Sequence, residues 1–433
     1  MKVLLVGSGG REHALALKIS ESPKLTKLYI TPGNPGTAKI GENINLDVNN
    51  QPAIVEFCKF EKIDLVVIGP EQPLVDGLGD ILRENFINVF GPGKNGAMLE
   101  GDKHFAKKIM QKAEIPTSES SVFFRDRHAE ALNHLAKCNY PLVLKASGLA
   151  AGKGVSICMD FPQAVEAIED CFTNRIFGDS GDRVLMEEFL EGEEASVFVI
   201  TDGKKYVILP ASQDHKRIGD NDTGKNTGGM GAYAPAPVAS QRTMECVEND
   251  IVKPLLKVLE EDKIDYRGCI YVGLMITSDG PKVIEFNCRF GDPETQVVLP
   301  VLKGDFLELL HSSAIGEINE NSVEYNGGVA VCVVTSSSGY PERYKKGFEI
   351  TGLDEDLYEE GTYVYHAGTK EENGKIITNG GRVLGVTAML EENDIKLCKE
   401  KAYRAVKNIN YTGMYFRTDI SDKAFNKNPF EDN

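Results

Sequence analysis

The stretch Lys282–Gln296, KVIEFNCRFGDPETQ, decides the fold, because it predicts a strand over residues 282–290 that ends in a polar turn. Successive side chains of a strand point to opposite faces, so Glu285, Asn287 and Arg289 share one face. Carboxylate and carboxamide oxygens suit a hard cation such as Mg²⁺, and a guanidinium binds phosphate or carboxylate through two hydrogen bonds. The stretch therefore predicts a site for a magnesium nucleotide phosphate beside an acid substrate.

The residues that follow the predicted strand help to distinguish a binding site from an ordinary solvated surface. A solvated face that carries polar residues by chance is the usual cause of such alternation. The continuation Gly291-Asp292-Pro293-Glu294-Thr295 favours the site, because the chain stays polar and turn-forming up to the next predicted helix.

Length and charge restrict the class of protein. A chain of 433 residues is expected to form two to four domains. The formal net charge of −17 works against nucleic-acid binding, which needs a basic surface. Any anionic ligand must therefore be attracted by local positive groups.

Cysteine usage and short apolar runs indicate the compartment. The nine cysteines contain no CxxC pair, which favours reduced thiols over a disulfide framework or a zinc site. Apolar runs such as Leu65–Ile68 are too short to span a membrane, and Gly7 interrupts the run at Met1–Val6 that could resemble a signal peptide. We expect a cytoplasmic protein that binds neither membrane nor nucleic acid.

Alternating strand and helix signals over the first hundred residues predict an α/β fold with a doubly wound parallel sheet. A helix over about residues 96–113 leads into a second α/β region that contains the opening strand. Residues 317–328 are rich in glycine and polar side chains, and they are interpreted as a linker. The final hundred residues predict a small α+β domain with little chemistry of its own.

An N-terminal loop, Gly7-Ser8-Gly9-Gly10-Arg11-Glu12-His13, follows a hydrophobic strand and opens a helix. Backbone amides and the helix dipole bind anions at such a position, where Arg11 would add a contact to a terminal phosphate. The third glycine of a dinucleotide fingerprint is replaced by Glu12, which disfavours NAD. A tight turn that needs glycines for its geometry is the alternative. Gly69-Pro70-Glu71 follows a neighbouring strand and is expected at the same sheet edge.

A second glycine-rich loop runs from Gly148 to Val155, GLAAGKGV. Small residues let its backbone fold over phosphates, while Lys145 and Lys153 supply positive charge. It lacks the Ser or Thr that completes a Walker A loop. We interpret it as a lid over ATP, with a mobile hairpin as the alternative.

Three further features are weaker. The strand end Met186–Glu193 could contact an adenine edge and ribose hydroxyls, although an acidic solvated strand end is the commoner cause. In Gln213–Arg217, Asp214 would hold an ammonium group, and a charged surface loop is an equal alternative. His13, His104 and His366 have no ligand-spaced partner in the sequence, so we assign them no metal or base role.

Taken together, these motifs resemble the ATP-grasp superfamily and, within it, the phosphoribosylamine-glycine ligase family. The resemblance covers essentially the whole chain, in eight ordered blocks. The blocks are GSGGREHA (7–14), KASGLAAGKGV (145–155), EEFLEGEEAS (187–196), SQDHKR (212–217), NTGGMGAYAPAPV (226–238), VIEFNCRFGDPETQ (283–296), HAGT (366–369) and NGGRVL (379–384).

The resemblance implies three structural parts. An N-terminal domain over residues 1–101 would bind phosphoribosylamine, and an ATP-grasp unit over residues 102–325 would carry a mobile lid at about 120–190. Residues 326–433 would form the C-terminal domain. The expected cofactors are ATP and Mg²⁺ or Mn²⁺, and the expected state is a monomer.

The resemblance also implies roles for individual residues. ATP contacts are expected from Lys103, Lys145, Gly148, Gly152, Lys153, Gly154, Glu187, Glu188, Leu190 and Glu193. Glu285 and Asn287 would bind the metal. Substrate contacts are expected from Gly9, Gly10, Arg11, Gly69, Pro70, Glu71, Asp214, Arg289, Gly291 and Asp292, with Arg289, Lys145, Asp292 and Asp214 as the catalytic candidates.

Small departures from the family pattern affect the loops and the metal. Ser147 stands where relatives commonly have Asp, and Lys225 where they commonly have Pro. The strand predicted over residues 270–277 carries no carboxylate, which leaves a second metal without a ligand from that strand.

The implied reaction is ATP-dependent ligation of glycine to 5-phosphoribosylamine through glycyl phosphate, giving glycinamide ribonucleotide, ADP and phosphate in de novo purine biosynthesis. Another carboxylate-amine ligase or a carboxylase is the alternative within the superfamily. An NAD-dependent oxidoreductase would explain only the first domain. A nucleotide-binding regulator that does not consume ATP is the third alternative.

Overall fold

The computed structural model describes residues 1–150 and 154–431, and it begins with a helix-covered parallel sheet, as the alternating pattern predicts. The elements of this N-terminal part are β1 (Lys2–Gly7), α1 (Gly10–Ser20), β2 (Lys27–Pro32), β3 (Glu42–Asn43), α2 (Gln51–Glu61), β4 (Leu65–Ile68), α3 (Glu71–Val75), α4 (Leu78–Glu84), β5 (Val89–Phe90) and α5 (Lys94–Gly101). The strands lie in the order β3-β2-β1-β4-β5, and all neighbours are parallel. The carboxyl ends of β1 and β4 therefore meet at one edge, where both predicted loops begin.

The single helix predicted over residues 96–113 is wrong, because the chain forms two helices that are separated at Asp102. Helix α5 ends at Gly101, and α6 (Lys103–Lys112) begins with the Asp102 carboxylate accepting hydrogen bonds from the next turn's backbone amides. Such an N-cap satisfies donors that a helix start leaves free. The same carboxylate accepts from Ser147 Oγ at 2.7 Å and pairs with Arg183 at 2.7 Å. Asp102 thus ties the helix to the region that follows.

A four-stranded antiparallel sheet with two helices forms a compact subdomain next. Its elements are β6 (Ser120–Phe124), α7 (His128–Leu135), β7 (Leu142–Ala146), β8 (Val155–Cys158), α8 (Phe161–Phe172) and β9 (Arg183–Glu188). The strand order is β6-β9-β7-β8. Side chains from these elements make a hydrophobic cluster of their own, which includes Leu135, Leu144 and Phe172. The subdomain therefore has its own core beside the rest of the molecule.

The central region forms one complete four-stranded sheet, and it contributes two strands to a second sheet. Its elements are β10 (Glu193–Thr201), β11 (Tyr206–Ile208), β12 (Gln213–Asp214), β13 (Arg217–Gly219), β14 (Thr223–Asn226), β15 (Gly231–Ala234), α9 (Gln241–Cys246), α10 (Lys253–Glu261), β16 (Gly268–Thr277), β17 (Gly280–Asn287), α11 (Thr295–Val298), β18 (Leu302–Gly304) and α12 (Phe306–Ile315). A π-helical segment, Val247–Val252, joins α9 to α10. The sheet order β11-β10-β16-β17 places the opening strand at an edge.

The C-terminal part completes a sheet that begins in the central region. Its elements are β19 (Val323–Tyr325), β20 (Val329–Ser337), β21 (Thr362–His366), β22 (Thr369–Glu372), β23 (Lys375–Thr378), β24 (Arg382–Leu390), α13 (Ile395–Val406) and β25 (Met414–Tyr415). The order is β12-β15-β20-β24-β21, and β25 also pairs with β20. Hydrogen bonds between β15 and β20 therefore join residues on the two sides of the domain boundary predicted at residue 326. The position of that boundary stays a prediction.

The interpretation of residues 317–328 as a plain linker is wrong in part. This segment contains β19, which pairs antiparallel with β18. Glycine and polar composition indicated a loop, but a hairpin strand of three residues leaves little hydrophobic signal.

Aromatic packing joins the N-terminal sheet to the opening strand. The rings of Phe90 and Phe290 stack with centroids 5.9 Å apart, and Phe290 also packs against Phe306. These rings belong to a cluster with buried side chains from all three parts of the chain. In the described ranges, no helix has the length and apolar character to cross a membrane.

Candidate active site

The predicted strand over residues 282–290 ends early, at Asn287, and Arg289 follows it in the turn. Glu285, Asn287 and Arg289 nevertheless line one cleft, which consists of two adjoining cavities of about 450 and 820 Å³. The three side chains border both cavities. The structure thus brings together the residues that the alternation singled out.

Positive charge converges on Glu285. Lys216 Nζ lies 4.0 Å from its carboxylate, and Lys145 and Lys103 are further cations near it. Burial opposes ionisation of Glu285, but these cations outweigh burial and lower its pKa. Glu285 is therefore a charged oxygen donor in a cation-rich cleft.

The amide of Asn287 is oriented by its neighbours. The amide orientation that satisfies both neighbours has its nitrogen donating to Glu100 Oε1 at 3.2 Å and to the carbonyl oxygen of Phe286 at 3.2 Å. The carbonyl oxygen of Asn287 is then the atom available as a metal ligand. No cluster of three or more His, Cys, Asp or Glu suited to a metal occurs within residues 1–150 and 154–431. Two protein oxygens fit Mg²⁺ that is bound mainly by substrate phosphates and water.

Arg289 is fixed by two carboxylates. Its Nη2 lies 2.8 Å from Glu100 Oε1, and its Nε lies 3.3 Å from Glu71 Oε2. Burial disfavours the guanidinium charge, but Glu100 and Glu71 outweigh burial and raise the pKa of Arg289. The sequence predicted that Glu71 lies near the substrate, but it gave no signal for Glu100. Glu100 lies within helix α5, which is remote in sequence from Arg289. The guanidinium is held in one orientation before any ligand binds.

Glu187 forms a buried clamp for two lysines. Its carboxylate lies 2.8 Å from Lys145 Nζ and 3.3 Å from Lys107 Nζ, and Lys145 also donates to the carbonyl oxygen of Ile284 at 2.9 Å. Burial opposes its ionisation, yet the two lysines lower the pKa of Glu187. The side chain of Glu187 therefore positions Lys145. Its predicted contact with ATP stays a prediction, and Lys107 was not predicted at all.

The second glycine-rich loop approaches the same cations. Lys103 Nζ donates to the carbonyl oxygen of Gly148 at 3.2 Å, and Gly154 lines the smaller cavity. Burial is the main cause of the lowered pKa of Lys103. Gly152 and Lys153 lie outside the described residues, so their predicted contacts stay predictions.

The predicted ribose end of the cleft lies in the larger cavity. Glu188, Leu190 and Glu193 border that cavity. The carboxylate of Glu193 accepts from Gln213 Nε2 at 3.1 Å and from Asn426 Nδ2 at 2.9 Å. The contribution of Asn426 had no signal in the sequence, since it comes from a segment remote from every motif.

Asp214 is a buried carboxylate that faces the larger cavity. Burial raises its pKa to about 7, with help from Glu294 and Glu194, while Lys216 opposes the shift. Lys216 itself pairs with Glu194 at 2.5 Å. A second positive group beside Asp214 would favour the ionised carboxylate, which is what an ammonium ligand provides.

The N-terminal loop binds its own carboxylate in this structure. Glu12 Oε2 accepts from the amide of Gly9 at 2.6 Å, and Glu12 Oε1 lies 2.6 Å from Arg11 Nε. A Cβ at Gly69 would lie 2.2 Å from Glu12 Oε1. Glu12 thus fills the space between Gly9 and Gly69, whereas a Cβ at Gly10 would meet Gln296 and Ala367. The predicted substrate contacts of this loop stay predictions.

Arg11 points into the smaller cavity, not out from the helix start. Its Nη1 donates to the carbonyl oxygen of Phe290 at 3.1 Å. Pro70 and Glu71 line the same cavity, beside Asp292. The predicted substrate residues of the N-terminal part therefore meet the polar turn after the opening strand.

The C-terminal domain reaches the cleft through Arg382. Its guanidinium lies 3.2 Å from Asp292 Oδ2 and donates to the carbonyl oxygens of Asp292 at 2.7 Å and of Gly228 at 2.5 Å. Gln296 Nε2 donates to the other carboxylate oxygen of Asp292 at 2.7 Å, and Gly291 lies beside it in the larger cavity. Burial opposes ionisation of Asp292, but Arg382 and the neighbouring arginines lower its pKa. This domain, for which the sequence predicted little chemistry of its own, therefore contributes Arg382 to the lining of the cleft.

A two-sheet nucleotide cleft with a separate small subdomain, buried lysines and an acidic edge strand defines an ATP-grasp protein. Family models match the chain in three consecutive parts. They are the N domain of phosphoribosylglycinamide synthetase over residues 1–100, its ATP-grasp domain over 101–295 and its C domain over 330–423. The chain belongs to the phosphoribosylglycinamide synthetase family.

Individual relatives agree with this assignment. The chain is 46% identical over 421 residues to a phosphoribosylamine–glycine ligase of Caldanaerobacter subterraneus, covering 97% of this chain and 99% of the relative. The crystal structure of a phosphoribosylamine–glycine ligase from Thermotoga maritima is 32% identical, with a TM-score of 0.83 over 97% of this chain and 100% of that one. A biotin carboxylase domain of Hydrogenobacter thermophilus 2-oxoglutarate carboxylase is 18% identical with a TM-score of 0.71, over 96% of this chain and 91% of that one, and shows a shared fold alone.

Proposed function

We propose that this protein joins glycine to 5-phosphoribosylamine with the consumption of ATP, giving glycinamide ribonucleotide, ADP and phosphate in de novo purine biosynthesis. The observation that carries the proposal is the convergence of Glu285, Asn287, Arg289 and Lys145 in one cleft. The full-length likeness to ligases of this name supports the choice of substrates.

The first step activates the glycine carboxylate, which is a poor acyl donor. A carboxylate oxygen attacks the γ-phosphorus of ATP, so that glycyl phosphate forms and ADP leaves. Such a transfer needs positioning and neutralisation of charge more than covalent help. Lys145 and Arg289 stand where they would neutralise the transferred phosphoryl group, since Glu187 and Glu100 hold them in place.

Glu285 and Asn287 would hold the metal, Mg²⁺ or Mn²⁺, with oxygen ligands. The metal would polarise and align the nucleotide phosphates when bound. Glu285 is suited to this because the surrounding cations keep it ionised.

The second step transfers the glycyl group to the amine. The amine of phosphoribosylamine attacks the acyl carbon, phosphate leaves, and the amine loses a proton to solvent or to phosphate. Asp214 would hold the glycine ammonium in the larger cavity. Arg289, Gly291 and Asp292 border that cavity from the opposite strand end.

Phosphoribosylamine would enter from the smaller cavity. Arg11, Pro70 and Glu71 line it from the N-terminal domain, and Arg382 lines it from the C-terminal domain. With Arg289, three guanidinium groups line this cavity, which favours a phosphorylated substrate.

The subdomain over residues 120–188 would act as the lid. Its separate hydrophobic cluster lets it move as a unit, and closure would keep water away from the acyl phosphate. We further propose that the protein works as a monomer in the cytoplasm.

The decisive assay measures ADP release from ATP and Mg²⁺ with each substrate omitted in turn. Release that needs both glycine and phosphoribosylamine supports the proposal. Release with bicarbonate, or with another acid and amine in their place, would assign a different ligase. ATP binding without any ADP release would identify a nucleotide-binding regulator.

A further inference from the structure

The last described segment of the chain, residues 417–431, forms part of the wall of the larger cavity and is named here the C-terminal segment. Asp419, Asp422, Lys423 and Asn426 line that cavity opposite the strand end that carries Glu193. No motif in the sequence pointed to this segment.

The C-terminal segment is anchored on both sides of the cavity. At one side, Arg417 is buried and pairs with Asp222 at 2.9 Å and with Asp419 at 2.6 Å. At the other side, the Phe430 ring lies 4.0 Å from the guanidinium carbon of Arg242. The C-terminal segment is therefore held at both ends, and Asn426 lies exposed between them.

Between the anchors, Asn426 contacts the carboxylate that is proposed to bind ribose. Asn426 Nδ2 donates to Glu193 Oε1 at 2.9 Å, while Gln213 Nε2 donates to Glu193 Oε2 at 3.1 Å. Gln213 is in turn held by the hydroxyl of Tyr233, which is fully buried. Both oxygens of Glu193 therefore have one donor each.

A carboxylate oxygen has two acceptor positions, so each oxygen of Glu193 retains one for a ligand. The two amide donors restrict the rotation of the carboxylate and set the direction of the remaining acceptor positions. Vicinal hydroxyls, such as those of a ribose, are a ligand class that offers two donors to one carboxylate.

We propose that Asn426 is a positioning residue that orients Glu193 toward the ribose hydroxyls of the nucleotide and so sets the preference for ribonucleotides over deoxyribonucleotides. This rests on the proposed use of ATP, together with the prediction from the family resemblance that Glu193, at the predicted ribose end of the cleft, binds the ribose hydroxyls. Asn426 acts through Glu193 and takes no part in phosphoryl transfer.

The test compares kcat/KM for ATP, 2′-deoxy-ATP and 3′-deoxy-ATP in the full-length protein. For Asn426→Ala and Asn426→Asp, we expect the preference for ATP over one or both deoxy analogues to fall about fivefold to tenfold, the effect of one hydrogen bond. The kcat at saturating ATP should change less than twofold. Because a general loss of structure lowers all three values together, the ratio isolates positioning.

The matched control is Asn428→Ala. Asn428 lies in the same segment and donates to the carbonyl oxygen of Val238 at 3.0 Å, and it does not line the cavity. The control should keep the wild-type preference. An equal loss of preference in Asn428→Ala would overturn the proposal, because loosening of the segment would then explain both.

A second variant separates this inference from the proposed function. Glu193→Gln should lose the preference at least as strongly as Asn426→Ala. If Glu193→Gln loses it and the Asn426 variants keep it, Asn426 has no positioning role, although ribose binding at Glu193 stands. If Glu193→Gln keeps the preference, ribose binding at Glu193 is refuted, and the role of Asn426 is refuted with it.

Discussion

The guanidinium of Arg382 lies 3.2 Å from the carboxylate of Asp292, across the contact between the C-terminal sheet and the turn after the opening strand. Arg382 begins β24, and Asp292 lies five residues beyond the end of β17. The pair joins a domain with no nucleotide motif to the centre of the cleft. It also holds the loop at Gly228, whose carbonyl oxygen accepts from the same guanidinium.

Removal of this guanidinium should impair catalysis. In Arg382→Ala, Asp292 loses the cation that contributes most to its lowered pKa. The polar turn also loses the hydrogen bond from Arg382 to the carbonyl oxygen of Asp292, and the loop at Gly228 loses another. We expect kcat/KM for phosphoribosylamine to fall about a hundredfold, since small displacements of site groups have effects of that size. Steady-state kinetics with each substrate varied would measure it.

Arg404→Ala is the control for Arg382→Ala. Arg404 pairs with Glu359 at 3.1 Å on the surface, where an ion pair contributes about 0.5 kcal/mol or less. Wild-type kinetics in Arg382→Ala would show that the link between the C-terminal sheet and the turn is dispensable.

Neutralisation of Glu285 should abolish ADP formation while the fold is kept. Glu285→Gln removes the charged oxygen at the predicted metal site but keeps the side-chain shape. We expect kcat to fall roughly a thousandfold, since a bound metal contributes several kcal/mol of charge stabilisation. Mn²⁺ binding in the presence of a non-hydrolysable ATP analogue, followed by electron paramagnetic resonance, should weaken in parallel.

Glu324→Gln serves as the matched change on the surface, where Glu324 pairs with Lys303 at 3.1 Å. It should keep wild-type turnover and Mn²⁺ affinity. Undiminished turnover of Glu285→Gln in saturating Mg²⁺ would remove Glu285 from the metal site.

The raised pKa of Asp214 predicts that the use of glycine depends on pH. Burial raises its pKa from the usual 3.8 to about 7, so it gains its charge only as the pH rises through about 7. An ionised Asp214 binds the glycine ammonium better, and kcat/KM for glycine should therefore increase over that range. Asp214→Asn should raise the KM for glycine and remove this part of the pH profile.

The same shift predicts the direction of a stability effect. The folded state favours protonated Asp214, so its contribution is most favourable below the usual pKa of 3.8 and declines as the pH rises through about 7. The free energy of unfolding of Asp214→Asn relative to wild type should therefore be larger at pH 8 than at pH 5. Urea unfolding at the two pH values would measure it, and an equal difference at both would contradict the shifted pKa.

Loss of the Glu187 carboxylate should destabilise the protein. Glu187→Ala leaves Lys145 and Lys107 close together without their shared counter-charge, since both pair with Glu187. Breaking a buried charge cluster in this way costs about 3–5 kcal/mol. Thermal unfolding followed by circular dichroism should show a lowered Tm.

The neighbouring Glu188 provides the comparison. It is exposed at the end of the same strand, and its replacement by Ala should change stability by about 0.5 kcal/mol or less. Equal effects of the two changes on Tm would mean that the pairing of Glu187 with Lys145 and Lys107 adds no stability beyond that of an exposed glutamate.

Much of the fold could be read from local patterns. The parallel N-terminal sheet and the strand with Glu285 and Asn287 follow from hydrophobic periodicity, which is a property of neighbouring residues. The break at Asp102 was missed because residues on both sides have helical character. Its cause is an N-cap that also binds Ser147 and Arg183, and these partners are remote in sequence.

The same distinction between local and remote information applies to the residues of the candidate site. Sequence motifs located Glu285, Asn287, Arg289, Lys145 and Asp214, because each belongs to a polar pattern within a strand or just after one. They assigned no role to Glu100, Lys107, Arg382 or Asn426, which contact Arg289, Glu187, Asp292 and Glu193 in that order.

By itself, then, the sequence determined the order of strands and helices, the family and the residue types offered to the nucleotide and its metal. The tertiary structure decided which charges meet. It set the Glu12 carboxylate against the backbone amide of Gly9 and paired Arg289 with Glu100. It also brought Arg382 and Asn426 from the C-terminal part to the cleft. The physical reason is distance along the chain, since periodicity records only local geometry, whereas burial and ion pairing depend on segments that meet only after folding.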